Sequence, residues 1–187
     1  KRRTDIYIAN SNTSAKPLAF SAKKSDGLNV SLCVADEVAS WPGDAGLKFY
    51  EVIKSSFGAR TQPMLLAIST AGYVNEGIYD ELIKRATRFL LGDSKETRLA
   101  PFLYMIDDPA KWSDINELAK ANPNLGVSIS VGYLLEEIAI AEGSLSKRAE
   151  FLTKYCNIKQ NSSLAWLSAD VVERACGAHI DPANFKN

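Results

Sequence analysis

Short apolar runs, separated by polar stretches, dominate the first half of the chain. Ile6 to Ala9, Leu18 to Ser21, Val30 to Ala35 and Met64 to Ser69 each have the length and residue types of a strand. The last two lack polar alternation, which predicts strands buried on both faces of a parallel sheet. Between them Leu47, Tyr50, Ile53 and Phe57 recur at steps of three and four, one apolar helix face, with Gly58 as its stop. Strand, helix, strand is the βαβ unit of an open α/β sheet. The link from Ser21 to Val30 is shorter than the dozen or so residues a parallel crossover needs. The strand at Leu18 is therefore expected to pair antiparallel with its successor or to stand apart.

A second helix is predicted over 76–91, with Ile78, Leu82, Ala86 and Leu90 on one face, Asn75 as its cap and Gly92 as its end. Arg98 to Met105 is a last strand candidate, confined to an edge by Pro101. Beyond Asp107-Asp108-Pro109 the pattern turns helical. Helices are predicted from Trp112 to Ala121, Tyr133 to Glu142 (Ser130 as cap, Gly143 as stop), Ser146 to Tyr155, and Ala169 to Cys176. Four short helices in sequence predict a small helical subdomain.

The composition adds bounds. The 187 residues are 46% hydrophobic and 24% charged, the balance of a soluble chain with a core, and the formal net charge is zero. No overall electrostatic case exists for nucleic acid or an anionic membrane. No apolar stretch approaches the roughly 20 residues that span a bilayer, and Lys1-Arg2-Arg3 leads into no signal-type apolar region. Three dispersed cysteines suggest a reducing compartment rather than a disulfide framework. The expectation is a cytoplasmic protein without a membrane partner. Both ends read as internal to a longer protein: no Met precedes Lys1, and the stretch from His179 to Asn187 is a polar loop.

Candidate chemistry concentrates at the ends of two strands. Val30-Ser31-Leu32-Cys33-Val34-Ala35 leads into Asp36-Glu37, two adjacent carboxylates at the C-terminal end of a strand, where open α/β sheets place ligands. This is the Walker B pattern, in which the first acid helps to hold Mg²⁺ and the second orients or deprotonates the attacking water. The alternative is an acidic pair that caps a turn. Ser69-Thr70-Ala71-Gly72 ends the next strand, and hydroxyls at that place can sense the γ-phosphate. The alternative there is a Ser/Thr turn. A P-loop requires G-x-x-x-x-G-K-[ST], and none of the eleven glycines precedes a lysine. These residues alone are therefore expected to bind nucleotide weakly or not at all.

"VSLCVADEVASW" (30–41) followed by "ARTQPMLLAISTAGYVNEGIYDELIKRA" (59–86) resembles the large terminase subunit of tailed bacteriophages. "DDPAKW" (107–112), "KANPNLG" (120–126) and "FLTKYCNIKQ" (151–160) resemble the same family's linker region. The resemblance implies an α/β fold: a partial P-loop NTPase-type, mostly parallel sheet followed by a small helical subdomain. It implies that residues 1–106 are the C-terminal portion of the ATPase domain and 107–187 a helical linker ahead of a nuclease domain. It further implies ATP and Mg²⁺ as cofactors, with Asp36 in the metal role, Glu37 as catalytic glutamate and Ser69, Thr70, Ala71 and Gly72 as coupling motif. The implied partners are double-stranded viral DNA, the portal protein, the small terminase subunit and further large-subunit copies in a ring, in the host cytoplasm. Competing classes are another P-loop motor of the helicase type and a non-catalytic docking domain.

Arg60 and Lys24 are candidates for a phosphate sensor or finger, against the commoner reading of surface charges. Asp107-Asp108 is expected to form a turn before Pro109 rather than a metal pair. Trp41, Trp112 and Trp166 are expected to be packing anchors, and His179 a loop residue. Cys33 is expected to be a small buried hydrophobe. Cys156 and Cys176 form no C-x-x-C pair and imply no zinc.

Overall fold

The computed structural model describes residues 5–21, 25, 27–73 and 76–160. Lys24, Asn75, Trp166, the helix expected from Ala169 to Cys176, and His179 lie outside them. The described residues fall into two compact units, those of 1–69 with Glu76–Glu81, and those of 70–75 with 82–187.

The first unit is built on a parallel pair, β3 (Leu32–Asp36) with β4 (Met64–Ile68), in a register that sets Leu32 beside Met64 and Asp36 beside Ile68. Helix α1 (Gly43–Ser55) forms the crossover, which makes this the expected βαβ unit. Its buried stripe is Gly46, Phe49, Tyr50 and Ile53, at helical spacing, and the chain then tightens into a 3-10 turn over Ser56–Ala59. Gly46 sits close against Trp41: a Cβ there would lie 3.0 Å from the Trp41 Cβ, a tight contact. Trp41, Phe49 and Phe20 pack as an aromatic cluster with ring centroids 4.7–5.4 Å apart, Trp41 edge-on to both phenylalanines and these two tilted against each other.

Three strand expectations need correction. The pair is not buried on both faces: Leu32, Val34, Met64, Leu66 and Ile68 are exposed, while Ala35 is buried. Period-two alternation turns the first set to one side, and no described element covers it. Leu18 to Ser21 is not a strand. Pro17 removes a ladder donor ahead of it, and Phe20 is committed to the aromatic cluster. β1 (Ile6–Ile8) instead pairs antiparallel with β2 (Thr13–Ala15), closed by Asn12 in the left-handed region at φ 51 and by a 3.0 Å hydrogen bond that the Tyr7 hydroxyl donates to Asn12 Oδ1.

In the second unit Arg98 to Met105 forms no strand, consistent with the donor that Pro101 lacks, and Phe102 is left exposed. Helix α2 (Ile78–Leu90) stops as predicted at Gly92, φ 81. The Gly92 amide donates to Phe89 O and the Asp93 amide to Arg88 O, a Schellman arrangement. Ile78 and Ala86 of the expected face are buried, whereas Leu90, in the last turn, is exposed. Three further helices follow: α3 (Ile115–Ala121), α4 (Val131–Glu142) and α5 (Leu145–Lys154). Each starts at a side-chain cap, from Asp114, Ser130 and Ser144 respectively. Their apolar faces meet Ile106 in one core of Leu118, Ala121, Leu134, Ile138, Ala141, Phe151 and Cys156. Trp112 packs edge-on against Phe151 and carries the Arg148 guanidinium over its ring, 4.9 Å from the centroid. Trp41 and Trp112 are thus packing anchors, as expected.

Candidate functional site

Asp36 ends β3, and Glu37 follows it at φ 48, ψ 47, a left-handed conformation unusual for a glutamate. The Glu37 amide donates to Asp36 Oδ1 at 2.9 Å. A single 3-10 turn, Val38–Ser40, comes next, with Val38 and Ala39 buried and both carboxylates exposed. Two long-reach bonds hold this turn. Trp41 Nε1–H donates to the Asp36 carbonyl at 3.0 Å. The Ala39 amide donates to Ser69 Oγ, also at 3.0 Å. Ser69 directly follows β4, so the parallel register delivers Asp36, Glu37 and the Ser69 hydroxyl to the same end of the sheet.

This arrangement offers exposed hard oxygen donors at the carboxyl end of a parallel pair. A magnesium ion suits such a place, since it is ordinarily held by one or two carboxylates together with substrate phosphates. Among the described residues no group of three or more His, Cys, Asp or Glu side chains converges. Arg60 is not brought to these acids: its Nη2 donates to the Asn29 carbonyl at 3.0 Å, on the side where β3 begins. Burial raises the pKa of the Cys33 thiol, in keeping with a residue half-buried in the strand.

Thr70, Ala71 and Gly72 belong with the second unit. Ala71 is buried there, and its amide donates to Asn157 Oδ1 at 3.3 Å. Asn157 was not singled out by the sequence reading, nor was the Ala39–Ser69 bond. An Asn just past a helix end is a weak signal for a left-handed residue, and Asn157 has φ 53.

The acids at 107 and 108 form the expected turn. Asp108 Oδ1 accepts from the Ala110 amide at 3.0 Å, and Asp107 Oδ2 takes Lys120 Nζ at 2.7 Å. Glu117 Oε1 accepts from the same ammonium at 2.6 Å, and its Oε2 accepts the amides of Asp107 (3.1 Å) and Asp108 (3.4 Å). The Lys120 bond, aided by these amides, lowers the Glu117 carboxyl pKa, and the two carboxylates raise that of Lys120. A groove of about 340 Å³ lies along α4 and α5, lined by residues that include Tyr133, Glu150, Lys154 and Tyr155. Lys154 first and Lys147 second lower the Glu150 pKa, while burial and the 2.7 Å bond between the Tyr133 and Tyr155 hydroxyls raise that of Tyr155.

A parallel βαβ unit with paired carboxylates at its carboxyl end, and a small helical unit after it in the chain, make this a mixed α/β protein. A family model described as terminase large subunit, ATPase domain, matches residues 1–88, and one described as terminase large subunit, endonuclease domain, matches residues 97–187. The chain belongs to the terminase large subunit family. Protein YmfN of Escherichia coli (strain K12) is 32% identical over 146 residues, which is 78% of this chain and 31% of that protein. The crystal structure of the HK97 bacteriophage large terminase is similar in fold, with a TM-score of 0.66 at 22% identity over 83% of this chain and 33% of that one. The chain thus spans about a third of the length of these relatives. No helix among the described residues is long and apolar enough to cross a membrane.

Proposed function

We propose that this chain is the part of a phage DNA-packaging ATPase that carries the hydrolytic carboxylates and the coupling segment. The observation that supports it is the delivery of Asp36, Glu37 and the Ser69 hydroxyl to one end of the parallel pair, with the Ala39–Ser69 bond tying the acidic turn to the end of β4. Bound ATP and Mg²⁺ supply the scissile phosphoanhydride and neutralise its charge. Asp36, at the end of its strand, holds the cation side of that complex. Glu37, exposed and presented by the left-handed turn, orients and deprotonates the attacking water. Ser69 senses the change at the turn, and Thr70, Ala71 and Gly72 carry it onward. The phosphate cradle comes from outside these residues, since no G-x-x-x-x-G-K-[ST] occurs in them. Arg60, and by charge alone Lys24, are the candidates for a phosphate sensor or finger.

In the longer protein this hydrolysis drives double-stranded viral DNA into a procapsid in the host cytoplasm. Further copies form a ring, with the portal protein and the small terminase subunit as partners and a nuclease domain to cut the DNA. Residues 1–106 are then the end of the ATPase domain and 107–187 a helical linker; the core around Leu118 and Leu134, which also takes in Ile106, supports a helical part of its own but not that boundary. The nuclease-domain match starts ahead of that boundary, at Thr97, and on this reading it takes in the linker helices.

Glu37→Gln in the full-length protein tests the reading. It is expected to keep nucleotide binding and to lower ATP turnover at least a hundredfold, the low end of what a positioned general base contributes. Turnover at the wild-type rate would remove Glu37 from the mechanism.

A further inference from the structure

The coupling segment has an anchor in the second unit that its own sequence does not reveal. Asn157 follows α5 in a turn held from three sides. Asn122 Nδ2 donates to the Tyr155 carbonyl at 2.8 Å, the Ile106 amide donates to the Cys156 carbonyl at 3.3 Å, and the Ile158 amide donates to the Leu152 carbonyl at 2.9 Å. Cys156, fully buried, plugs the turn into the helical core. From this fixed base the Asn157 side chain reaches two other segments at once. Its Oδ1 accepts the Ala71 amide at 3.3 Å, and its Nδ2 donates to the Tyr104 carbonyl at 2.7 Å. An amide group has one accepting and one donating end, and these two partners, an N–H and a C=O, allow only this orientation. Ala71 is 4% exposed, so its amide cannot exchange this acceptor for bulk water without local opening. The Tyr73 hydroxyl adds a longer bond to the Ala149 carbonyl of α5, at 3.5 Å.

We propose that Asn157 is a positioning residue for the coupling segment, clamping the Ala71 backbone to the turn after α5. A displacement of residues 70–72 is then felt at the turn after α5 through the Asn157 side-chain amide. The coupling role of those residues rests on the function proposed above, whereas the clamp itself is a property of the second unit.

The clamp separates three variants. Asn157→Gly retains the left-handed backbone and removes both bonds. Asn157→Asp keeps an acceptor for Ala71 and loses the donor to Tyr104. Asn157→Leu removes both bonds while retaining bulk. Amide hydrogen exchange at Ala71 in the full-length protein is expected to speed up about five- to tenfold in the glycine and leucine variants, the range for one net hydrogen bond, and to speed up less in the aspartate variant, which keeps the Ala71 acceptor but sets its second oxygen against the Tyr104 carbonyl. The DNA length moved per ATP hydrolysed is expected to fall in the first two and to fall less in the third. Unchanged Ala71 exchange in both Asn157→Gly and Asn157→Leu would overturn the clamp. Faster exchange with an unaltered DNA-to-ATP ratio would overturn its positioning role. Absence of ATP turnover in the wild-type protein would count against the motor reading instead, and the exchange comparison would still decide the clamp.

Discussion

Ser69 Oγ and the Ala39 amide, 30 positions apart in sequence, meet at 3.0 Å and join the turn after β3 to the end of β4. The pairing makes the shape of the acidic turn depend on a residue that is not part of it. Ala39 is buried, so removing the hydroxyl leaves its amide without that acceptor. Ser69→Ala is expected to lower stability by about 1–2 kcal/mol, and Ser69→Thr to preserve most of it, as read from urea midpoints. Equal midpoints for the alanine variant and the wild type would show that the bond carries no net stability.

Glu37 holds a left-handed backbone with a Cβ, which costs on the order of 1 kcal/mol. Two variants that both delete the carboxylate separate this cost from the side chain's own contacts. Glu37→Gly is expected to be about 1 kcal/mol more stable than Glu37→Ala, less the extra freedom glycine gains on unfolding. Denaturant titration of the pair measures the gap. A glycine variant less stable than the alanine variant would rule out a strained turn.

The Glu117–Lys120–Asp107 group sets a pH dependence with a definite sign. Glu117 titrates lower in the folded chain than its ordinary value of 4.5, because Lys120 and the amides of Asp107 and Asp108 favour the carboxylate. Its contribution is therefore complete above that value and is lost as pH falls through the lowered one. Lys120 is shifted the other way, so its contribution is complete below its ordinary value of 10.5 and fades only in stronger alkali. Glu117→Gln is expected to flatten the acid limb of a stability–pH curve below about pH 4.5. An acid limb identical to wild type would exclude Glu117 as its source.

The parts of this fold that the sequence announced are those with a local physical signature. Asp36-Glu37 stood out because an uninterrupted apolar run ended in two acids, and α2 and α4 because Gly92 and Ser130 are stop and cap residues at the right places. β2 was not legible, since Thr13-Ser14-Ala15 is short, polar and exposed. Leu18 to Ser21 and Arg98 to Met105 misled for the opposite reason: an apolar run states an appetite for burial, not a ladder partner. Within the candidate site the acids were readable and the two bonds that set their surroundings were not. Ser69 to Ala39 and Asn157 to Ala71 link residues distant in sequence through single polar atoms, which leave no periodicity to detect.

The parallel register of β3 and β4 also governs the order in which the first unit can assemble. In the hairpin, Ile8 and Thr13 close a small loop and the remaining rungs zip outward from it. In the parallel pair every rung, from Leu32 with Met64 to Asp36 with Ile68, spans the same sequence separation, so none is cheap enough to start the others. The helix α1 lies inside that span, and its formation shortens the flexible loop that must close. The topology therefore ties the meeting of the acidic turn with Ser69 to the formation of the whole βαβ unit rather than to any local hairpin.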